Sequence, residues 1–362
     1  MNPSVDFWKD KKVLLTGHTG FKGSWLYLWL RALGARVHGL SLAPDTTPNL
    51  AVLTGIADDT AGATIGDIRD EGLLHNLMKR EQPEIVLHLA AQALVRRSYV
   101  DPIESFSTNV MGTLRVLDAV SRSSSVRAAL IVTTDKCYEN REWIWPYREN
   151  EPLGGHDPYS ASKACTEIAT AAWRSSLSDM PAYDRTERPI AIATARAGNV
   201  FGGGDWAVDR LVPDFFRTLA AEQELVIRNP AARRPWQHVL EPLAGYLLLA
   251  ESLWNGEAQE AWNFGPAPDD VQPVSFVVDR LFGAGNGARK WRLADGHQPH
   301  EARFLSLDAS KARAKLGWRP RLPLGEALDW TYDWYMRQAR GEDAGQLTLD
   351  QIARYTSRAD AR

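Results

Sequence analysis

Residues Lys12-Val-Leu-Leu-Thr16 form a short apolar run followed at once by Gly17-His-Thr-Gly20-Phe-Lys-Gly23 and then by the helical segment 24–33. The run reads as a buried strand. The three glycines constrain what can follow it: Gly17 permits a tight turn, Gly20 lets a backbone come close to a pyrophosphate, and Gly23 allows close helix–strand packing. Three glycines can serve an ordinary turn. With a strand before and a helix after, they instead read as the first unit of a dinucleotide-binding fold, phosphates on the helix N-terminus.

Further strands are expected at 36–42, 85–89, 129–132, 190–196 and 262–264, with Gly66-Asp67-Ile68 closing another. The alternation predicts an α/β fold of Rossmann type, a doubly wound parallel sheet with a smaller, discontinuous C-terminal substrate lobe. We assign residues 1–198 with 238–265 to the dinucleotide-binding domain. Residues 199–237, rich in Gly, Pro, Arg and Trp, form the second lobe with 266–340, and 341–362 read as a mobile tail. Along the sheet edge the cofactor-binding candidates are Gly17, His18, Thr19, Gly20, Phe21, Lys22 and Gly23, then Asp67, Ile68, Leu89, Ala90, Ala91, Gln92 and Thr108. No carboxylate follows the second strand before Asp45, and no Arg cluster awaits a 2′-phosphate, which favours NAD over NADP. His88 sits on an apolar strand and reads as a core histidine.

Chemistry is expected where the fifth strand ends, because ligands bind outside the carboxyl ends of such strands. There stand Thr134, Asp135 and Lys136, with Tyr159 and Lys163 downstream. Tyr159 and Lys163 share a helix face at i, i+4. The ammonium is expected to favour the phenolate, making a base that takes a hydroxyl proton, while Thr134 bonds the same oxygen. The Asp135–Lys136 pair adds a proton donor and an acceptor, so the chemistry exceeds hydride transfer alone. An ordinary lysine is protonated near neutrality. Lys136 therefore acts as a base only where burial and neighbouring cations strip its proton; otherwise it pairs with Asp135.

A net charge of −3 argues against a nucleic-acid surface, and two cysteines argue for a reducing compartment without a disulfide or zinc framework. No apolar run approaches the ~18–20 residues of a membrane span, and the first ten residues do not read as a signal peptide. A cytoplasmic protein with no membrane or nucleic-acid partner is expected.

The glycine motif, the Thr134/Tyr159/Lys163 set and the Arg-rich second lobe together resemble the extended short-chain dehydrogenases/reductases that act on sugar nucleotides, over about residues 8–335. Residues 17–25, 134–138, 197–206 and 228–238 are similar to the 4,6-dehydratase branch that takes CDP-glucose. The resemblance implies bound NAD, with Tyr159 deprotonating the 4-hydroxyl, Lys136 removing the C5 proton and Asp135 protonating the departing 6-hydroxyl. It places Arg234 on the pyrophosphate, Asn199 on the sugar nucleotide, and His300 and Glu301 on a phosphate or ribose. Arg210, Arg217 and Arg228 are further anion-binding candidates, each equally readable as a surface charge. A homodimer, or a tetramer built from it, is implied through helices near 103–121 and 159–176. Two other readings stay open: an inverting UDP-N-acetylglucosamine 4,6-dehydratase, and a non-catalytic NAD-binding regulator.

Overall fold

The computed structural model describes residues 1–180, 189–285, 291–296 and 302–358. Seven strands form the central sheet: β1 (Lys12–Thr16), β2 (Arg36–Ser41), β3 (Ala63–Ile65), β4 (Ile85–His88), β5 (Ala128–Val132), β6 (Ala191–Ala197) and β7 (Ala261–Phe264). All pair in parallel in the order β7-β6-β5-β4-β1-β2-β3. Chain order reverses between β1 and β4, so a crevice opens there at the C-terminal strand ends.

Strand alternation divides the core into two layers. Val13 and Leu15 of β1, and Leu130 and Val132 of β5, join one cluster, whereas Leu14, Ala129 and Ile131 join the other. The first layer is closed by helices α1 (Phe21–Ala32), α6 (Leu240–Trp254) and α7 (Leu324–Ala339); the second by α2 (Glu71–Glu81) and α3 (Thr113–Arg122). Both faces are covered, as a parallel sheet requires. Helix α4 (Pro158–Ser176) carries Tyr159 and Lys163, and α5 (Leu211–Ala220) follows β6 along the chain. Outside the central sheet, the named strands among the described residues form two-stranded pairs: Val200–Phe201 with Gln237–His238, Arg233–Pro235 with Val271–Pro273, and Leu225–Ile227 with Trp291–Leu293. No described helix is long and apolar enough to cross a membrane.

The C-terminal segment differs from the expected mobile tail. Residues 344–356 form α8 (Ala344–Thr356), capped by Asp343, with Leu347, Ile352 and Tyr355 buried. Apolar residues at helical spacing supply a face that packs on α1, and the Tyr355 hydroxyl donates to Glu241 Oε2 at 2.8 Å. Glu241 Oε1 accepts from the amides of Arg321 and Leu322. Burial nevertheless lifts this carboxyl to about 7. The folded state thus holds a proton that the unfolded chain has released above its ordinary value of 4.5. Stability is expected to fall as pH rises from 4.5 toward 7, by about 3 kcal/mol at 1.36 kcal/mol per unit. Glu241→Gln keeps the shape without the charge. Thermal unfolding between pH ~5 and ~8 should therefore show a flatter profile for the variant; identical slopes would rule this source out.

Candidate active site

The glycine turn takes its shape from steric limits at two positions. Gly17 has φ +81°, and a Cβ there would lie 2.7 Å from the Ala90 amide nitrogen. A Cβ on Gly23 would sit 2.0 Å from the Gly17 carbonyl oxygen, so the first turn of α1 packs directly on its own loop. Gly20 meets only that same carbonyl, at 3.4 Å, and otherwise faces open space. It caps α1 with no side-chain bond, leaving the N-terminal amides of the helix directed at the opening.

That opening is a cavity of about 980 Å³. Gly17, Thr19, Gly20, Phe21, Lys22, Gly23, Asp67, Ile68, Leu89 to Gln92 and Thr108 line it, together with Thr134, Lys136, Tyr159, Lys163, Asn199, Arg210, Arg228 and Arg234. The uncapped helix start and the bare face of Gly20 fit a dinucleotide's phosphates.

Among the described residues, three of the expected ones do not line the cavity. His18 is buried behind the turn against Gly39, where a side chain's Cβ would come 2.4 Å from its ring, and does not line the cavity. Burial drops its pKa to about 4, so it is neutral and packs as core. Arg217 also stays outside the cavity: its guanidinium is taken by Asp214 and by the Trp206 carbonyl at 2.9 Å. Asp135 is fully buried and is reached through Thr134 and Lys136 rather than from the cavity itself. His300 and Glu301 lie outside the described residues.

At the end of β5 a single turn of 3₁₀ helix (Asp135–Cys137) is capped by Thr134. Thr134 Oγ1 donates to Asp135 Oδ1 at 3.0 Å, and Lys136 Nζ lies 3.3 Å from the same oxygen. No described residue bonds Asp135 Oδ2. Lys163 Nζ donates to the Val132 carbonyl at 3.1 Å, which ties α4 to the strand end.

Charge here runs against the simplest expectation. Burial raises Tyr159 to about 12, and the Thr134 hydrogen bond and Arg210 offset this only in part. Burial lowers Lys163 to about 8. Desolvation outweighs the pairing that the i, i+4 spacing suggests, so the tyrosine is a phenol in the ligand-free protein. Lys22 falls to about 7, through burial and then through Arg210, Lys163 and Lys136. Lys22, Lys136, Lys163 and Arg210 therefore gather around Asp135, an arrangement suited to an anionic ligand and to a developing oxyanion.

One supporting residue, Asn109, carries no obvious sequence signal. Asn109, within a π-helical turn (Ser107–Gly112), accepts from the Gln92 amide at 2.8 Å and donates to the Gln92 carbonyl and to Ser162 Oγ. It fixes the β4 loop to α4. Gln92 spends its own side chain on Ser105 and the Leu94 amide. Asp67 is engaged by Arg69, with Nη2 to Oδ2 at 2.6 Å, which holds its carboxyl below the usual range. His88 lies between Thr16 (2.7 Å) and Thr113 (3.0 Å), as a core histidine should. Beneath the catalytic turn, Glu167 pairs with Arg196 at 2.8 Å and accepts from Thr133 and from Thr194 at 2.7 Å. Farther along the chain Arg210 donates to Asp205 at 3.0 Å, Arg228 lies 3.7 Å from Asp209, and Arg234 is tethered to the Arg233 and Ala302 carbonyls.

Residues 13–265 match the profile of the NAD dependent epimerase/dehydratase family. The chain belongs to that family. It is 48% identical over 97% of its length, and 98% of the relative's, to a CDP-glucose 4,6-dehydratase of Salmonella typhimurium. Among solved structures, an epimerase of Methanothermobacter thermautotrophicus superposes with TM-score 0.80 at 22% identity, covering 93% of this chain and 95% of that one. A dTDP-glucose 4,6-dehydratase of Streptomyces venezuelae, solved with NAD bound, gives 0.76 at 24% identity, covering 91% and 98%. These two establish the family's fold for the chain.

Proposed function

We propose that the protein is a CDP-glucose 4,6-dehydratase that converts CDP-glucose to CDP-4-keto-6-deoxyglucose and water, feeding deoxysugar biosynthesis of the kind that supplies O-antigen. The observation that carries the reading is the convergence of Thr134, Asp135, Lys136, Tyr159 and Lys163 at one end of a cavity that begins at the glycine turn. Near-half identity along the whole chain to a CDP-glucose 4,6-dehydratase supports it.

NAD, when bound, supplies the hydride acceptor for C4 and the donor that later reduces C6. The glycine turn, the start of α1, Asp67 to Ile68, Leu89 to Gln92, Thr108, Tyr159 and Lys163 would hold it. Tyr159 takes the 4-hydroxyl proton while Thr134 holds the same oxygen. Lys163 and Arg210 make that transfer accessible from a high-lying phenol by stabilising negative charge. The C4 ketone acidifies C5. In the form of the pair that holds a neutral lysine and a protonated carboxyl, Lys136 removes the C5 proton and Asp135, hydrogen-bonded to Lys136 and Thr134, gives its proton to the 6-hydroxyl, which leaves as water. Reprotonation at C5 closes the cycle. Asn199, Arg210, Arg228 and Arg234 hold the sugar nucleotide. An epimerase needs only the proton transfer at O4, so the Asp135–Lys136 pair favours elimination.

Exposed Ile103, Met111 and Ile168 favour a homodimer through the segments 103–121 and 159–176, and two free cysteines fit the cytoplasm.

Lys136→Met tests the division of labour. Mass analysis after incubation with NAD and CDP-glucose should find sugar nucleotide lighter by two hydrogens, and none lighter by a water. Normal dehydration by the variant would remove Lys136 from the mechanism.

A further inference from the structure

The reacting end of the cavity is marked by Tyr159 and Lys136, and the glycine turn accounts for the dinucleotide phosphates. The cavity is lined as well by the first turn of α5 and by the strand Leu225–Ile227. Val212, Pro213, Leu225 and Ile227 are buried and give it apolar walls. Such walls, interrupted by a few placed polar groups, suit a flat heteroaromatic ring. The polar groups that these two segments bring to the cavity lining are Arg210, Asp214, Arg228 and Asn229, and of these Asp214 is the carboxylate.

Asp214 is poised to receive a donor. Arg217 bonds its Oδ1, and no described residue bonds Oδ2. Burial, only partly offset by Arg217, lifts its carboxyl above the ordinary range, as befits a carboxylate short of donors. Asp209, a nearby alternative, already has its Oδ1 3.4 Å from Arg96 and 3.7 Å from Arg228. The Asp214–Arg217 pair also gives a reason why Arg217 is absent from the cavity: it orients the carboxylate from behind.

We propose that Asp214 accepts a hydrogen bond from the 4-amino group of cytosine and so selects cytidine over uridine and thymidine sugar nucleotides. The proposal rests on the dehydratase reading and adds the residue that chooses the base. Cytosine presents an N–H donor at position 4, where uracil and thymine carry a carbonyl oxygen. An ionised carboxylate offers acceptors only. It is therefore satisfied by cytosine, whereas a 4-oxo ring leaves two oxygens facing each other without a proton between them, at the cost of an unmade buried hydrogen bond.

The test compares wild type with Asp214→Asn and Asp214→Ala. Calorimetry measures binding of CDP, UDP and the diphosphate of the 4-deamino analogue, pyrimidin-2-one riboside; turnover is measured with CDP-glucose and UDP-glucose. In the wild type, loss of the 4-amino group should weaken binding about 10- to 100-fold, the worth of a hydrogen bond to a charged group. The alanine variant should bind CDP and the analogue alike. In the asparagine variant, whose amide can turn its N–H toward a 4-oxo group, the CDP-to-UDP preference should narrow by a similar factor. Wild type binding the deamino analogue as tightly as CDP would overturn the proposal, with no variant needed. An unmoved CDP-to-UDP ratio in folded Asp214→Asn would overturn it too. Missing turnover of CDP-glucose by wild type sinks the dehydratase reading instead, and the two outcomes are read separately.

Discussion

Tyr159→Phe is expected to lower kcat with CDP-glucose by about 10²- to 10⁴-fold, the usual worth of a positioned acid–base group. The phenol lies within hydrogen-bond reach of Thr134, at the end of β5, and burial holds its proton firmly, near 12. Little spontaneous phenolate is available, so the surrounding cations do much of the work. Removing the hydroxyl leaves nothing at that place to take the 4-hydroxyl proton, whereas the ring, 8% exposed, keeps its packing. KM and NAD affinity should therefore move far less than kcat. Steady-state kinetics with the unfolding midpoint as a control checks this; a variant within tenfold of wild type would exclude Tyr159 as the base.

Arg196→Met is expected to cost about 3–5 kcal/mol of stability, the penalty for leaving one member of a buried ion pair alone. Arg196 and Glu167 expose 3% and 2% of their side chains. Burial by itself would raise the Glu167 carboxyl, but Arg196, with hydrogen bonds from Thr133 and Thr194, outweighs burial and holds it below the usual range. Without the guanidinium the carboxylate stays dry and unpaired. The double variant Glu167→Met, Arg196→Met removes both charges and should recover most of the loss. Urea unfolding of the two variants decides the matter; a double variant as unstable as the single one would show that packing, not charge, carries the effect. Thr133 precedes Thr134, so the single variant should also lose activity before it unfolds.

The sheet was legible because strand alternation and the glycine turn are local signals: six strands fall within a residue or two of their expected places, and the third ends at Ile65, just before Gly66. The C-terminal helix was misread because its charged composition hides an apolar face that only α1 reveals. Gly203 looks like a loop glycine in sequence. Its bareness makes room for Trp334, whose ring a Cβ would meet at 2.1 Å, a contact that no local pattern announces. At the site, Tyr159 and Lys163 could be read from spacing, but the high Tyr159 pKa could not, because desolvation depends on the whole surrounding fold. Glu167 stands four residues beyond Lys163 on the same helix, so its proximity was readable. Its partner Arg196, on a strand twenty-nine residues away, was not. Arg217 lies off the cavity lining because an acid three residues earlier on its own helix engages it.

The most direct measurement is incubation of the purified protein with NAD and each of CDP-, dTDP-, GDP- and UDP-glucose, followed by the alkaline ultraviolet absorbance of a 4-keto-6-deoxy sugar. Absorbance with CDP-glucose, and little or none with the other three, is the expected result. Absorbance only with another nucleotide, or none from folded protein that binds NAD, would contradict the assignment.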